Sequence, residues 1–128
     1  PDCLTLSCHG DTGQFVMPIL GEEVYEKEEP QGNFSSEEIR KYINLTGKVI
    51  LNLGCATGNP AMAEAFSENN VYIAPKDDVD GNSALLFAIQ LFYEIAQNKK
   101  TVFDAYCSAK GIDRETALFD FVNNNAIP

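Results

Sequence analysis

Lys48-Val49-Ile50-Leu51-Asn52-Leu53 is the strongest strand pattern in the sequence, and the fold class follows from it. It is apolar at consecutive positions apart from Asn52, which is typical of a strand buried on both faces in the middle of a parallel sheet. The turn Gly54 to Pro60 follows it directly. A strand that leads through a tight turn into a helix is the basic unit of an α/β fold.

Other strand patterns lie on both sides of this stretch. We predict buried strands at Cys3 to Cys8 and at Val71 to Ala74, because both runs are short, apolar and bounded by turn residues. Gln14 to Leu20 is predicted to be an edge strand or a loop, since Pro18 cannot donate a ladder hydrogen bond. The acidic segment Gly21 to Gly32 is predicted to be a solvated loop.

Helix patterns alternate with the strands. Ser35 and Glu38 have the spacing of a capping box, which predicts a helix that runs to about Asn44. Its expected buried stripe is Ile39, Tyr42 and Ile43. Further helices are predicted at Ala61 to Phe66, at Ser83 to Gln97 with Leu86, Ile89, Gln90 and Tyr93 at helical spacing, at Thr101 to Ala109 and at Arg114 to Asn123. The alternation predicts an α/β fold in which a mostly parallel sheet is flanked by helices.

Length and charge limit the possible functions. The 128 residues, which carry 19 acidic and 9 basic side chains and a formal charge of −10, are expected to form one domain that repels nucleic acid and anionic membranes. No apolar run approaches the roughly 20 residues that span a bilayer, and no signal peptide is visible. Because the four cysteines have no regular spacing, we expect a reducing cytoplasm.

The predicted sheet is thin. Three parallel strands would leave the first strand with an unpaired edge, which is an aggregation hazard. The sequence also begins on Pro1 and enters a strand pattern almost at once. We therefore expect residues 1 to 128 to be part of a domain whose first strands lie upstream.

Reactive side chains follow two of the predicted strands. His9, which is the only histidine, follows the first strand, and Cys55 follows the central one. Because ligands of open α/β sheets bind at the carboxyl ends of the strands, these residues could form a thiol nucleophile and its base. The N–H groups of Gly10 and Cys55 could then serve as oxyanion donors. A buried structural cysteine and an isolated surface histidine are the alternative interpretation.

Several other sites fit parts of the same segments. Val49 to Gly58 resembles the first motif of S-adenosylmethionine-dependent methyltransferases, with Asp77 or Asp78 as the acid that binds ribose. That motif lies late in the chain, and the helices predicted after Asn82 leave no strands to complete such a fold. Asn52 to Pro60 also resembles a segment of S-adenosylhomocysteine hydrolases, in which histidine stands at the position of Asn59.

Metal sites are disfavoured by the sequence. A zinc site would need Cys3, Cys8, His9 and Cys55 together, but alternate residues of a strand point to opposite faces and no Cys-x-x-Cys pair is present. The segment Glu22 to Glu29 lacks the alternating Asp and Gly pattern of calcium loops. We expect no metal and no cofactor.

One family resemblance covers nearly the whole chain. An apolar strand followed by Cys8-His9-Gly10, and another that leads through Gly54 to Cys55-Ala56-Thr57-Gly58, resemble the histidine and cysteine motifs of CHAT domains. Gly32 to Ile39 resembles the pattern that opens a helix between these motifs in that family. Downstream, the strand at Val71 to Ala74 and the aromatic helix that contains Phe92 and Tyr93 also match.

The resemblance is to the carboxyl-terminal catalytic half of this caspase-like cysteine peptidase family, which is related to separase, gingipains and metacaspases. It implies a caspase-like fold in which His9 is the general base or acid and Cys55 is the nucleophile. Gly10 and Cys55 would supply the backbone N–H groups of the oxyanion hole. The implied activity is that of an endopeptidase acting on a peptide or protein substrate. Because many members of the family are degenerate, a catalytically inactive interaction module remains the alternative.

Two further expectations accompany the predicted pair of His9 and Cys55. We expect the chain to be the effector part of a longer regulated protein, in which helical-repeat regulatory domains are candidate partners. We also expect cleavage after basic residues, because Asp11, Asp77 and Asp78 lie close in sequence to the two strand ends. These acids could instead cap the helix after Asn82 or simply face solvent.

Overall fold

The computed structural model describes residues 2–124, in which seven strands and four helices follow the alternating order that the sequence predicts. The strands are β1 (Cys3–Leu6), β2 (Gly10–Asp11), β3 (Gln14–Phe15), β4 (Phe34–Ser35), β5 (Val49–Asn52), β6 (Val71–Pro75) and β7 (Phe119–Val122). The helices are α1 (Ser36–Tyr42), α2 (Pro60–Ser67), α3 (Gly81–Ala96) and α4 (Val102–Lys110), and single 3₁₀ turns lie at Glu22–Val24 and Thr116–Leu118.

The main sheet has the strand order β1-β5-β6-β7. β1, β5 and β6 are parallel, whereas β7 runs antiparallel to β6. All four residues of β5 are buried, as expected for the central strand. The α/β class with a mostly parallel sheet and flanking helices is therefore confirmed.

Helices cover both faces of this sheet. On one face, Ile39 of α1 and Phe66 of α2 pack in a cluster with Ile50 and Tyr72. On the other face, Phe87 of α3 belongs to a cluster formed with α4, Leu51, Ile73 and other core residues. Alternate residues of β5 enter opposite clusters, because successive side chains of a strand point to opposite faces. The alternation explains why every residue of β5 is buried.

The prediction of a carboxyl-terminal helix at Arg114 to Asn123 is wrong. The structure has a 3₁₀ turn there, followed by β7. Phe119 is fully buried and stacks on Phe87 with ring centroids 3.9 Å apart, and Phe121 lies opposite Ile73 of β6. The decisive signal is the two-residue period of the aromatic side chains, which suits a strand and not a helix. One strand therefore does follow Asn82, contrary to the expectation.

The first strand also differs from its prediction. β1 ends at Leu6, two residues before the predicted end, and its first three residues are exposed. It is an edge strand in the described part of the chain, because only β5 pairs with it. The segment Gln14 to Leu20 contributes only β3, which pairs with β2 and β4 in a small antiparallel sheet.

The apolar residues that were predicted to be buried on the helices are confirmed only in part. Ser35 and Glu38 form the predicted capping box at the start of α1, and Ile39 is buried, but Tyr42 and Ile43 are exposed. On α3 the outward positions include Leu86, Ile89 and Tyr93, and the core-facing ones are Ala84, Phe87, Ala88 and Leu91. Among the described residues, no helix is both long enough and apolar enough to cross a bilayer.

Candidate active site

Cys55 lies in the tight turn that joins β5 to α2. Two hydrogen bonds tie this turn to the end of β6: the Ala56 N–H donates to the Asp77 carbonyl at 3.1 Å, and the Gly58 N–H donates to the Pro75 carbonyl at 2.8 Å. Ala56 has a φ of +54°, a left-handed conformation that is uncommon for a residue with a Cβ. The turn is therefore held from outside in a conformation that the chain alone disfavours.

His9 lies in the short connection between β1 and β2. The Leu53 N–H donates to the carbonyl of Leu6, the last residue of β1, at 2.9 Å, which extends the pairing of the two strands by one residue beyond the end of β5. The Val16 N–H donates to the His9 carbonyl at 2.8 Å, so the small sheet fixes the histidine main chain. His9 and Cys55 thus follow adjacent parallel strands.

Gly10 packs directly against the main chain of Cys55. A Cβ on Gly10 would lie 2.3 Å from the Cys55 carbonyl oxygen and 3.0 Å from the Cys55 nitrogen, which leaves no room for any side chain. A Cβ on Gly54 would likewise lie 3.1 Å from the Cys8 carbonyl oxygen and 3.2 Å from the Gly10 nitrogen. The segments that follow β1 and β5 therefore pack closely at Gly10 and Gly54, where neither residue has a side chain. His9 directly precedes Gly10 in this contact.

His9 and Cys55 line the same cleft, whose volume is about 620 Å³. His9 is exposed and Cys55 is half-buried. The Cys55 Sγ lies 3.5 Å from both the nitrogen and the carbonyl oxygen of Val79, so the main chain before α3 holds the thiol. The remaining lining residues are Ser7, Cys8, Leu53, Val79, Gly81, Ala84 and Leu85.

Backbone amides are also available at this junction. The hydrogen bonds that hold the turn use the N–H groups of Gly54, Ala56, Thr57 and Gly58. The Cys55 N–H takes no part in them. Because the Gly10 nitrogen lies beside Gly54, the two amides expected to bind an oxyanion belong to one close-packed corner of the site.

The other thiols have different surroundings. None of the cysteines forms a disulfide within residues 2–124. Burial raises the pKa of Cys8 and of Cys3, which favours the unreactive thiol form at neutral pH. Cys107 lies on α4 and is exposed, although its place with Phe103 and Tyr106 in a predicted helix favours a core position. Of the two cysteines that line the cleft, Cys8 is thus disfavoured as a nucleophile, and Cys55 is the candidate.

The three acids predicted to bind a basic side chain are exposed and are not among the residues that line the cleft. Asp11 accepts a hydrogen bond from the Thr12 N–H at 2.8 Å, and Asp77 accepts one from the Asp78 N–H at the same distance. The cap of α3 is Asp80, which accepts from the Asn82 N–H. Asp77 contributes to the site through its carbonyl group, which holds the Cys55 turn.

Within residues 2–124, no three His, Cys, Asp or Glu side chains come close enough to hold a metal ion. Cys3 lies in β1 opposite Val49, several residues before the end of the sheet at which His9 and Cys55 line the cleft. The structure therefore does not bring the four possible zinc ligands together.

Sequence reasoning missed several residues of the site. Val79, Ala84 and Leu85 form one wall of the cleft, and nothing in their local sequence distinguishes them from core residues. Asn52 and Tyr72 hold the turn through buried hydrogen bonds. A polar Asn52 in an otherwise apolar central strand was the one available signal.

Comparisons with known proteins gave no match: no protein-family model, no curated protein and no solved structure is significantly similar to the chain. The resemblance to CHAT domains therefore stays a prediction that rests on the motifs around His9 and Cys55.

The contact between Gly10 and Cys55 can be tested by substitution. Gly10→Ala is expected to lower the free energy of unfolding by about 1–3 kcal/mol, because the new Cβ would push the two strand ends apart. Urea denaturation measures this change. Gly21→Ala is the control, because its φ is −64° and its Cβ would meet only the flexible Glu23 carboxylate. Equal stability of the two variants would contradict the close contact.

Proposed function

We propose that the chain is a cysteine endopeptidase in which Cys55 is the nucleophile and His9 transfers the protons. The observation that carries this proposal is that both side chains line one cleft from the ends of adjacent parallel strands. The only histidine of the chain and Cys55 thus have a common access to substrate. The resemblance to CHAT domains supports the same pair.

The reaction would follow from this arrangement. The Cys55 thiolate attacks the carbonyl carbon of a peptide bond, and the N–H groups of Gly10 and Cys55 stabilise the negative charge on its oxygen. The tetrahedral intermediate collapses to a thioester as His9 donates a proton to the leaving amine. His9 then takes a proton from water, which hydrolyses the thioester and releases the carboxylic acid product and the thiolate.

The access to the site also suits a peptide chain. His9 is exposed, and Gly81 and Ala84 put little bulk on the wall of the cleft, so that an extended main chain can approach the thiol. A thiol nucleophile must stay reduced, so we place the protein in the cytoplasm, as the effector part of a longer regulated chain with peptide or protein substrates.

The packing of the turn disfavours a methyltransferase. The ribose or amino-acid group of S-adenosylmethionine, when bound at a glycine-rich turn, needs open main chain on which to rest. Here Gly10 covers the main chain of Cys55, and the Cys8 carbonyl lies against Gly54. The turn is therefore occupied by the histidine segment of the same chain.

Selective alkylation tests the proposed dyad. At a pH where ordinary thiols are protonated, iodoacetamide is expected to modify Cys55 at least about tenfold faster than Cys107, because an adjacent imidazolium stabilises the thiolate. Peptide mass spectrometry measures both rates in the same sample. His9→Ala is expected to slow Cys55 and to leave Cys107 unchanged.

Cleavage assays complete this experiment. Cys55→Ala is expected to abolish cleavage of peptide substrates, while the unfolding free energy changes by less than about 1 kcal/mol because the half-buried thiol contributes little packing. Cleavage that survives in Cys55→Ala would rule out Cys55 as the nucleophile. If the two cysteines of the wild-type chain react equally fast, an inactive interaction module of the same fold is the better description.

The preference for basic residues stays a prediction, and fluorogenic peptides can test it. If Asp77 and Asp78 bind a basic side chain at the rim of the cleft, substrates ending in Arg or Lys are cleaved at least about tenfold faster than neutral ones. Asp77→Asn together with Asp78→Asn should then remove this preference. Equal cleavage of both classes would contradict it and would assign specificity to the apolar wall formed by Leu53, Val79 and Leu85.

A further inference from the structure

A chain of buried hydrogen bonds links the central strands to the turn that carries Cys55. The Gly54 N–H donates to Asn52 Oδ1 at 3.0 Å, and Asn52 Nδ2 donates to Tyr72 Oη at 2.9 Å. Tyr72 Oη in turn donates to the Thr57 carbonyl at 2.8 Å. The side chains of Asn52 and Tyr72 thus bond to main-chain groups on either side of Cys55.

This chain of bonds lies where apolar side chains would be expected. Asn52 and Tyr72 are 0% and 1% exposed, in strands whose other residues are almost all apolar. An amide in such surroundings is tolerated only if its hydrogen bonds are satisfied. Burial raises the pKa of Tyr72, which keeps the phenol protonated and able to donate. The ring is held by Phe66, which stacks on it at 4.8 Å.

The turn needs this support. Ala56 adopts a left-handed φ immediately after Cys55, which costs about 1 kcal/mol or more for a residue with a Cβ. Thr57 Oγ1 donates to the Gly54 carbonyl at 2.6 Å and closes the turn from within. Asn52 and Tyr72 fix the same two residues, Gly54 and Thr57, to the rigid centre of the sheet.

We infer that Asn52 and Tyr72 are positioning residues for the Cys55 thiol, because their hydrogen bonds hold both ends of the turn that presents it beside His9. The inference rests on the proposed peptidase function only where peptide cleavage is measured. The reactivity of the thiol reports the position of Cys55 whether or not the chain cleaves peptides.

The chain offers a matched control for a role in stability alone. Tyr106 Oη donates to the Phe119 carbonyl at 2.7 Å and accepts a hydrogen bond from Lys110 Nζ at 3.0 Å. Like Tyr72, Tyr106 is a buried tyrosine with one donated and one accepted hydrogen bond. It packs in the cluster on the α3 and α4 face of the sheet and does not bond to the Cys55 turn. Tyr72→Phe and Tyr106→Phe therefore remove the same atom from comparable surroundings.

The test compares these two variants in the rate at which iodoacetamide alkylates Cys55, relative to Cys107, at a pH where ordinary thiols are protonated. Both variants are expected to lower the urea midpoint. Only Tyr72→Phe should slow Cys55, by about 10- to 100-fold, since small displacements of a reacting group have effects of this size. In cleavage assays the same variant should lower kcat, with a smaller change in KM.

A double variant separates position from stability and serves as a second route if Tyr72→Phe is poorly folded. Asn52→Leu combined with Tyr72→Phe removes the buried amide whose N–H Tyr72→Phe leaves unpaired, which should recover part of the lost stability, and it also removes the hydrogen-bond partner of the Gly54 N–H. It should not recover the alkylation rate of Cys55. Recovery of both, or a Cys55 rate in Tyr72→Phe equal to that in Tyr106→Phe, would overturn the inference. Absence of peptide cleavage by the wild-type chain would overturn the proposed function alone.

Discussion

The close contact between Gly10 and the main chain of Cys55 is the constraint on which the site depends. Parallel strands bring their carboxyl ends to one edge of a sheet, but neighbouring strands lie about 4.8 Å apart and their loops normally diverge. Here the absence of a side chain at position 10 lets the segment after β1 rest on the carbonyl and nitrogen of Cys55. His9 directly precedes this contact, and it lines the same cleft as Cys55.

The second constraint is the support of the turn itself. Its amides bond to carbonyls at the end of β6, and the side chains of Asn52 and Tyr72 hold it from the centre of the sheet. The left-handed φ of Ala56 is maintained by these bonds. Strain stored next to a reactive side chain is common at functional sites, where the surrounding structure compensates for it. The buried polar groups of Asn52 and Tyr72 thus lie where the fold holds the Cys55 turn in place.

Periodicity in the sequence predicts most of the architecture. The apolar run that ends at Asn52 gives the central strand, and the Ser35 and Glu38 spacing gives the start of α1. The two-residue period at Phe119 and Phe121 indicates a strand, and the structure has β7 there in place of the predicted helix. Its stability comes from stacking on Phe87, a contact between distant parts of the sequence that no local pattern shows.

The site is predictable from the sequence only in its reactive residues. The positions of His9 and Cys55 after two strands indicate which side chains to consider, because strand ends meet at one edge. The walls of the cleft depend on how α3 is rotated against the sheet, which puts Leu85 beside the site and leaves Ile89 exposed. The acids Asp77 and Asp78 could not be placed from the sequence either. They lie close in sequence to a strand end, but both are exposed and neither lines the cleft.

The proposed function requires that the His9 imidazole and the Cys55 thiol interact across the cleft. Because the chain contains one histidine, the ring signals of His9 can be assigned in an NMR spectrum without ambiguity. The account predicts that Cys55→Ser shifts these ring signals at fixed pH, whereas Cys107→Ser leaves them at their wild-type positions. Unchanged His9 signals in Cys55→Ser would contradict it.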